Sequence, residues 1–221
     1  MHQQRIILAS SSPRRREMIS WMDIPNEAIS ADINEDHQKG EYPIDYVQRL
    51  ACEKAEKIFN NNHPASVILA ADTIVINGEQ ILGKPKDEDQ ATEMLLALRG
   101  RIHQVVTAIC LIQPDGKKMQ DLCVSNVRMR NYSDQEIKNY VATGDPMDKA
   151  GGYAIQNGSF NPVSEFNGCF ASVMGFPFCH IERNLQKIDG YNCVPTAERC
   201  QKKLHYFCPI YVRVLNGENI G

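Results

Sequence analysis

No apolar run in this chain approaches the ~20 residues of a membrane span. Met1-His2-Gln3-Gln4-Arg5 lacks the apolar core of a secretory signal. Both absences lead to the expectation of a cytoplasmic protein with no membrane partner. Charge of one sign is lacking too: 24 Lys and Arg stand against 27 Asp and Glu, a net charge of −3. A nucleic-acid footprint needs clustered basic charge, so no nucleic-acid partner is expected. The eight cysteines, Cys52, Cys110, Cys123, Cys169, Cys179, Cys193, Cys200 and Cys208, include no C-x-x-C pair and read as reduced thiols. There is no internal repeat, low-complexity tract or long linker, and the G-x-x-x-x-G-K-[ST] phosphate loop is absent. What remains is an ordinary globular composition, 43% apolar and 23% charged. At 221 residues it can bury a sizeable core in one domain, or in one domain with two lobes.

Chemistry enters with Ile6 to Arg16, I-I-L-A-S-S-S-P-R-R-R. The apolar start reads as a buried strand. Ser12 suits an N-cap and Pro13 the first helical position, and Met18, Ile19 and Met22 recur at helical spacing. A helix start offers free N–H groups and a partial positive charge to an anion. Arg14 and Arg15 place full positive charges where the helix dipole disfavours them, which points to a bound anion, and guanidinium forks match phosphate oxygens. The alternative is a solvated basic turn with an ordinary serine cap.

Further along, the acidic stretch Ser30–Asp36 offers Glu35 or Asp36 as a metal or water ligand, or is simply a solvated loop. A helix over Pro43–Phe59 carries Val47, Leu50, Ala51 and Ile58 on one face, with Lys54 on that same face. Such a lysine either snorkels or aims its ammonium at a buried anion. Asp72 sits inside the apolar run Val67–Ile76, a strand, and must pair, bind metal or take up a proton. Asn77-Gly78 signals a hairpin that would fold Lys84 back toward Asp72. Next come a helix capped by Asp87 and stopped by Gly100, strands over Val105–Ile112 and Leu122–Met129, and a capping-box helix from Ser133 to about Thr143.

A glycine-rich loop then holds Asp148 and Lys149, where glycines would let backbone approach a ligand, and leads into a short strand with Gln156. Val163–Val173 reads as two short strands around Asn167-Gly168, and a last helix ends near Lys187. From Asp189 the character changes. Cys193, Cys200, His205 and Cys208 crowd together at spacings that match no standard zinc or iron–sulfur pattern, leaving metal ligation or buried thiols open.

Interleaved strands and helices with hairpins indicate a mixed-sheet α/β or α+β fold. The charged residues that sit badly in their surroundings fall into two sets. Arg14, Arg15, Lys54, Lys84 and Lys149 could hold phosphates, while Glu35, Asp72 and Asp148 could hold a divalent cation or position a water. A cleft with both suits metal-assisted phosphoryl or nucleotidyl chemistry.

Four motifs in order, A-S-x-S-P-R-R, A-D-T-I-V, G-K-P and D-P-M-D-K-A-G-x-Y-x-I-Q, resemble the Maf family of nucleoside triphosphate pyrophosphatases from about Arg5 to Lys187. The resemblance implies an inosine-triphosphatase-like (Maf/Ham1-like) α/β fold with a long mixed sheet and a cleft between two lobes. It also implies a Maf-like domain over residues 1–188, with 189–221 a cysteine-containing extension. The implied reaction is hydrolysis of a nucleoside triphosphate to the monophosphate and pyrophosphate with a divalent metal, Mg or Mn.

Carried over, Ser10, Ser12, Arg14 and Arg15 contact phosphates, and Asp72 accepts a proton from water. Lys54 and Lys84 neutralise phosphate, Glu35 with Asp72 holds the metal, and Asp148 and Lys149 lie on the second cleft loop. Arg14, Thr73 and Gln156 resemble the dTTP/UTP branch, in which the Gln amide matches a pyrimidine edge. Ala70, Asn157 and Asn161-Pro162 depart from the family pattern near the base pocket. A homodimer and, as an alternative function, a nucleotide-binding regulator of septum formation without turnover are implied by resemblance only.

Overall fold

The computed structural model describes residues 5–61, 63, 66–189, 191 and 195–221. The apolar start is strand β1 (Arg5–Ala9), and Ser12 caps helix α1 (Pro13–Ser20). Strand β2 (Asn26–Ile29) pairs in parallel with β1. It is short and half polar, so no alternation marked it in the sequence. Helix α2 (Pro43–Phe59) buries Val47, Leu50, Ala51, Ala55 and Ile58, and buries Lys54 with them. Strand β3 (Ser66–Asn77) is buried almost throughout and turns at Gly78 into β4 (Gln80–Leu82). Helix α3 (Glu88–Leu98) begins at the Asp87 cap, which accepts the Gln90 N–H at 2.7 Å. Strands β5 (Ile102–Ile112) and β6 (Lys118–Met129) form a long antiparallel pair. Helix α4 (Asp134–Val141) has the full Ser133–Glu136 capping box.

Two expectations fail in the next region. Gln156 lies in a turn rather than on a strand, because Asn157 closes the chain on itself there: its N–H bonds to the Ala154 carbonyl and its side-chain oxygen accepts the Phe160 N–H. Strand β7 (Val163–Asn167) is present, but no returning strand follows Gly168. The chain enters helix α5 (Phe170–Val173) instead, since Gly168, at φ 140°, lies so close to Ser125 that the chain turns across β6. The last expected helix is α6 (Phe178–Leu185), and two more follow, α7 (Thr196–Leu204) and α8 (Tyr211–Leu215).

The sheet runs β2-β1-β3-β5-β6-β7, with β4 also on β3. The β1–β2 and β1–β3 pairings are parallel and the rest antiparallel, as the mixed-sheet reading requires. Alternate residues of β1 and β3 feed two cores, one under α1 and α6 with Leu8, Leu69 and Phe176, the other under α2 with Ile7, Ile68 and Ile74. A third core, with Val75, Leu95, Val105, Tyr132 and Tyr153, belongs to a second lobe built on α3 and α4. The cleft lies between these lobes.

Helices α7 and α8 pack back onto α6. Arg183 donates from Nε to Asp121 Oδ2 at 2.6 Å and from Nη2 to Asp121 Oδ1 at 2.5 Å. Its Nη1 reaches the carbonyls of Val214 and Glu218 at 3.3 and 2.7 Å. Cys179, Cys200 and Cys208 are buried free thiols around a small apolar pocket, and burial pushes all three up, away from the thiolate a metal needs. His205 is exposed, Cys193 lies outside the described residues, and among the described residues no group of three or more His, Cys, Asp or Glu could hold a metal ion. For the described cysteines the buried-thiol alternative is therefore the one the structure favours.

Candidate active site

The sheet registers create an opening. β1 pairs with β3 only as far as Leu8↔Leu69, and β4 takes the same edge from Val75↔Leu82. β5 meanwhile covers the opposite edge without a break from Ile68 to Ile76. Residues 70–74 of β3 thus have one edge without a strand partner, and Asp72 is its midpoint. The opening lies beyond the carboxyl end of β1, where α/β sheets bind ligands. A cavity of about 630 Å³ fills it, lined by Ser10, Ser12, Arg14, Arg15, Glu35, Lys54, Asp72, Thr73, Lys84, Asp148 and Lys149. Of the residues singled out from the sequence for the site, Gln156 alone is outside this lining. It is exposed on its turn.

Lys54 resolves the choice between snorkelling and a buried anion in favour of the anion. Its Nζ is 3.0 Å from Asp72 Oδ1 and 2.7 Å from Glu35 Oε1. Asp72 is correspondingly paired, as its place in an apolar strand demanded. Its Oδ2 accepts no hydrogen bond from any described residue. Glu35 comes from the acidic loop, which Tyr46 fastens by donating to the Glu35 carbonyl at 2.8 Å. Partial burial works to raise the Glu35 carboxyl, but the Lys54 hydrogen bond and charge, with Lys84 and Arg15 behind, hold it below the usual carboxylate range. The two carboxylates converge on the Lys54 ammonium, and no third His, Cys, Asp or Glu among the described residues completes a group that could hold a metal ion.

Arg15 is held from the other face of β3. Its Nε donates to the Gly175 carbonyl and its Nη2 to Thr73 Oγ1, each at 2.9 Å, while Nη1 stands 4.0 Å from Asp72 Oδ1. Burial pushes this guanidinium down, opposed by Asp72 and then Glu35. Gly175 has φ 96°, and a Cβ there would sit 3.2 Å from Arg15 Nε, so the close approach needs glycine. Ser12 caps α1 by accepting the Arg15 N–H at 3.5 Å, and Ser10 Oγ accepts the Ser12 N–H at 3.1 Å. Arg14 and Lys84 line the cavity with no hydrogen-bond or ion-pair partner among the described residues.

Lys149 behaves differently from the other cations. Its Nζ is fully engaged inside its own loop, 2.5 Å from both the Asp145 carbonyl and Asp148 Oδ1, and 2.9 Å from Asp145 Oδ1. The loop's paired glycines pack within the protein, Gly151 against the sheet and Gly152 against Ala91 and Met94 of α3. Gly151, at φ 71°, would bring a Cβ to 3.0 Å from Val75. Asn157, one of the departures from the family pattern, donates from Nδ2 to Asp145 Oδ2 at 3.1 Å and ties the Gln156 turn to this clamp.

The apolar end of the cavity, with Val75, Val105, Tyr153, Val173 and Met174, was not read from the sequence. Neither were Thr107 and Gly175. Val105 and Thr107 were hidden in what looked like a plain core strand. Gly175 carried a faint mark, as a glycine between two apolar residues.

The chain matches a family described as "Maf-like protein" over residues 5–188. Among known relatives, the dTTP/UTP pyrophosphatase of Ruegeria sp. (strain TM1040) is 42% identical over 181 residues, covering 81% of this chain and 92% of that one. The dTTP/UTP pyrophosphatase of Hahella chejuensis (strain KCTC 2396) is 43% identical over 178 residues, covering 80% and 88%. Among solved structures, a HAM1 protein from Coxiella burnetii overlaps 59% of this chain and 75% of its own at a TM-score of 0.41 and 17% identity. With a family match over residues 5–188 and relatives above 40% identity across most of both chains, this chain belongs to the Maf-like protein family.

Proposed function

We propose that the chain hydrolyses dTTP and UTP to the nucleoside monophosphate and pyrophosphate. The observation that carries the reading is Asp72, set in the open edge of β3 with Oδ1 fixed by Lys54 and Oδ2 left for a water. In the proposed reaction Oδ2 takes a proton from water as its oxygen bonds to the α-phosphorus. The bond from that phosphorus to the oxygen bridging to the β-phosphate breaks, and pyrophosphate leaves with the electron pair. Arg14, Lys84 and the Arg15 Nη1 face the charge that grows on the leaving group, where fixed cations are worth most. Ser10, Ser12 and the α1 N-terminus receive phosphate oxygens. Glu35 and Asp72 would hold a divalent cation, which when bound supplies Lewis-acid stabilisation to the phosphates.

The base goes to the apolar end, on Val75 and Val105 with Tyr153 beside it. Tyr153 is pinned there by a 2.7 Å hydrogen bond to His103 Nε2. Lys149 and Asp148 act by shaping the second cleft loop. A cytoplasmic location, a homodimer and a divalent cation, Mg or Mn, belong to the same reading. The test is pyrophosphate release from a nucleotide panel with Mg²⁺ or Mn²⁺. Preference for dTTP and UTP, lost by 10²-fold or more in Asp72→Asn, is the expected result on the scale of a missing general base. Full activity of Asp72→Asn removes that residue from the chemistry, and preference for a purine nucleotide overturns the substrate reading.

A further inference from the structure

Behind Arg15 lies a chain of hydrogen bonds whose direction is fixed by chemistry. Thr107, fully buried on β5, is paired across the strands with Thr73. Thr107 Oγ1 is 2.8 Å from the Ser172 carbonyl, which can only accept, so the single Thr107 hydroxyl hydrogen goes there. The Thr73 hydroxyl, 2.9 Å from Thr107 Oγ1, must then donate to Thr107. That leaves the Thr73 lone pairs facing Arg15 Nη2, which donates to them. The run is therefore Arg15 to Thr73 to Thr107 to Ser172, with no free donor on Thr73 to read a base. With Nε also spent on Gly175, the guanidinium is locked at a point where Nη1 stops 4.0 Å short of Asp72.

We infer that Thr107 is a positioning residue of the pyrophosphatase site, acting through Thr73 to keep Arg15 from closing onto Asp72. An arginine and a carboxylate this close, and largely shielded from solvent, favour a bidentate pair with both carboxylate oxygens engaged. Such a pair would take the Asp72 Oδ2 that the water needs. The threonine chain holds one guanidinium nitrogen, Nη2, and the Gly175 carbonyl holds a second, Nε, on the opposite face of β3, and together they keep Oδ2 free. On this account Thr73 bears on the reaction through Arg15 and not through contact with the nucleobase. The inference rests on the pyrophosphatase reading and adds to it two residues, Thr107 and Ser172, that touch no substrate.

The experiment compares pyrophosphate release from dTTP by the full-length parent, Thr107→Val, Thr73→Val, the double variant and Thr107→Ser, with melting temperatures alongside. Thr107→Val keeps shape and removes the hydroxyl. Its kcat falls by about tenfold or more, the scale of a misplaced catalytic group, while KM stays within about twofold. Thr73→Val falls equally, and the double variant falls no further, because both break one chain. Thr107→Ser restores the hydroxyl and recovers most of kcat. If Thr107→Val keeps parental kcat, or if the two losses multiply in the double variant, the positioning role is overturned while the pyrophosphatase reading stands. A loss in Thr107→Val that Thr107→Ser does not recover, accompanied by a lower melting temperature, overturns it in favour of simple packing. A parent enzyme that releases no pyrophosphate from any nucleotide overturns both.

Discussion

Lys54→Met is the most demanding test of the site's electrostatics. Methionine keeps the unbranched stem against Val47, Leu50 and Ala51 and removes only the ammonium. At the observed 3.0 Å, an effective dielectric of about 20 gives the Lys54–Asp72 attraction as about 5.5 kcal/mol, against about 4 kcal/mol for Arg15 at 4.0 Å. Removing one partner of a buried pair costs about 3–5 kcal/mol when the other is left alone. Asp72 is not left alone, because Arg15 remains, and Glu35 is exposed enough to be solvated. The expected loss of stability is therefore smaller, about 1–3 kcal/mol, or a melting temperature lower by about 3–10 °C in a chain of this size. The loss in catalysis should be larger, about 10²–10³ in kcat, because the free carboxylate can turn toward Arg15 and one preorganised charge is gone. Lys57→Met, on the exposed side of the same helix, controls for loss of charge and should stay within about 0.5 kcal/mol and twofold in kcat. Calorimetry and a coupled pyrophosphate assay read both quantities. A Lys54→Met enzyme with kcat within fivefold of the parent would refute the reasoning, since Asp72 would then need no ammonium to hold it.

Other outcomes follow from the same structure. Gly175→Ala combines a φ of 96° with a Cβ 3.2 Å from Arg15 Nε, so about 1–2 kcal/mol of stability and about tenfold in kcat should go together in urea unfolding and the assay. His103 and His180 are buried, and burial lowers both from 6.5 to about 4, in His180 with Arg183 adding and Asp121 opposing. Between pH 6.5 and 4 the unfolded chain therefore binds more protons than the folded one. Stability should be insensitive to these groups above pH 6.5 and fall by about 1.4 kcal/mol per pH unit for each histidine below it. Urea midpoints at pH 7, 6 and 5 test this, with His103→Phe expected to flatten the slope. Arg183→Met leaves the half-buried Asp121 carboxylate with only Asn184 Nδ2 and the Leu122 N–H as donors and frees the Val214 and Glu218 carbonyls, so limited proteolysis should cut the segment after Thr196 early, with a loss of about 1–3 kcal/mol.

What was legible in the sequence was mostly what violates a local rule. Asp72 in an apolar strand, Lys54 on an apolar helix face and arginines in a first helical turn are each costly unless something compensates, and in the fold they come together. Glu35 carried no such mark. In an acidic, exposed loop its position depends on Tyr46 and Lys54, residues that only the fold brings near. Strand β2 escaped notice because it pairs on one side with β1 and has no buried alternation to display. Gln156 read as a strand residue because the small and apolar residues before it look extended. Asn157 bonds its own neighbours and closes a turn there, a side-chain preference that competes with strand pairing.

Thr107 shows why the remainder of the site was out of reach. A threonine in a β-branched strand obeys every local rule, so nothing in its own segment distinguishes a packing threonine from one that anchors the Arg15 guanidinium through Thr73. The distinction lies in registers. Thr107 matters only because β3 and β5 stay paired where β1 has ended and β4 has not begun, which sets Thr107 directly behind the one unpaired stretch of the central strand. A one-residue slip in that pairing would turn Thr107 to the α2 face and leave Arg15 without its anchor. The charged residues mark a candidate site through their individual cost, while the geometry that leaves Asp72 Oδ2 without a hydrogen-bond donor among the described residues is carried by strand lengths and pairing, which no single residue records.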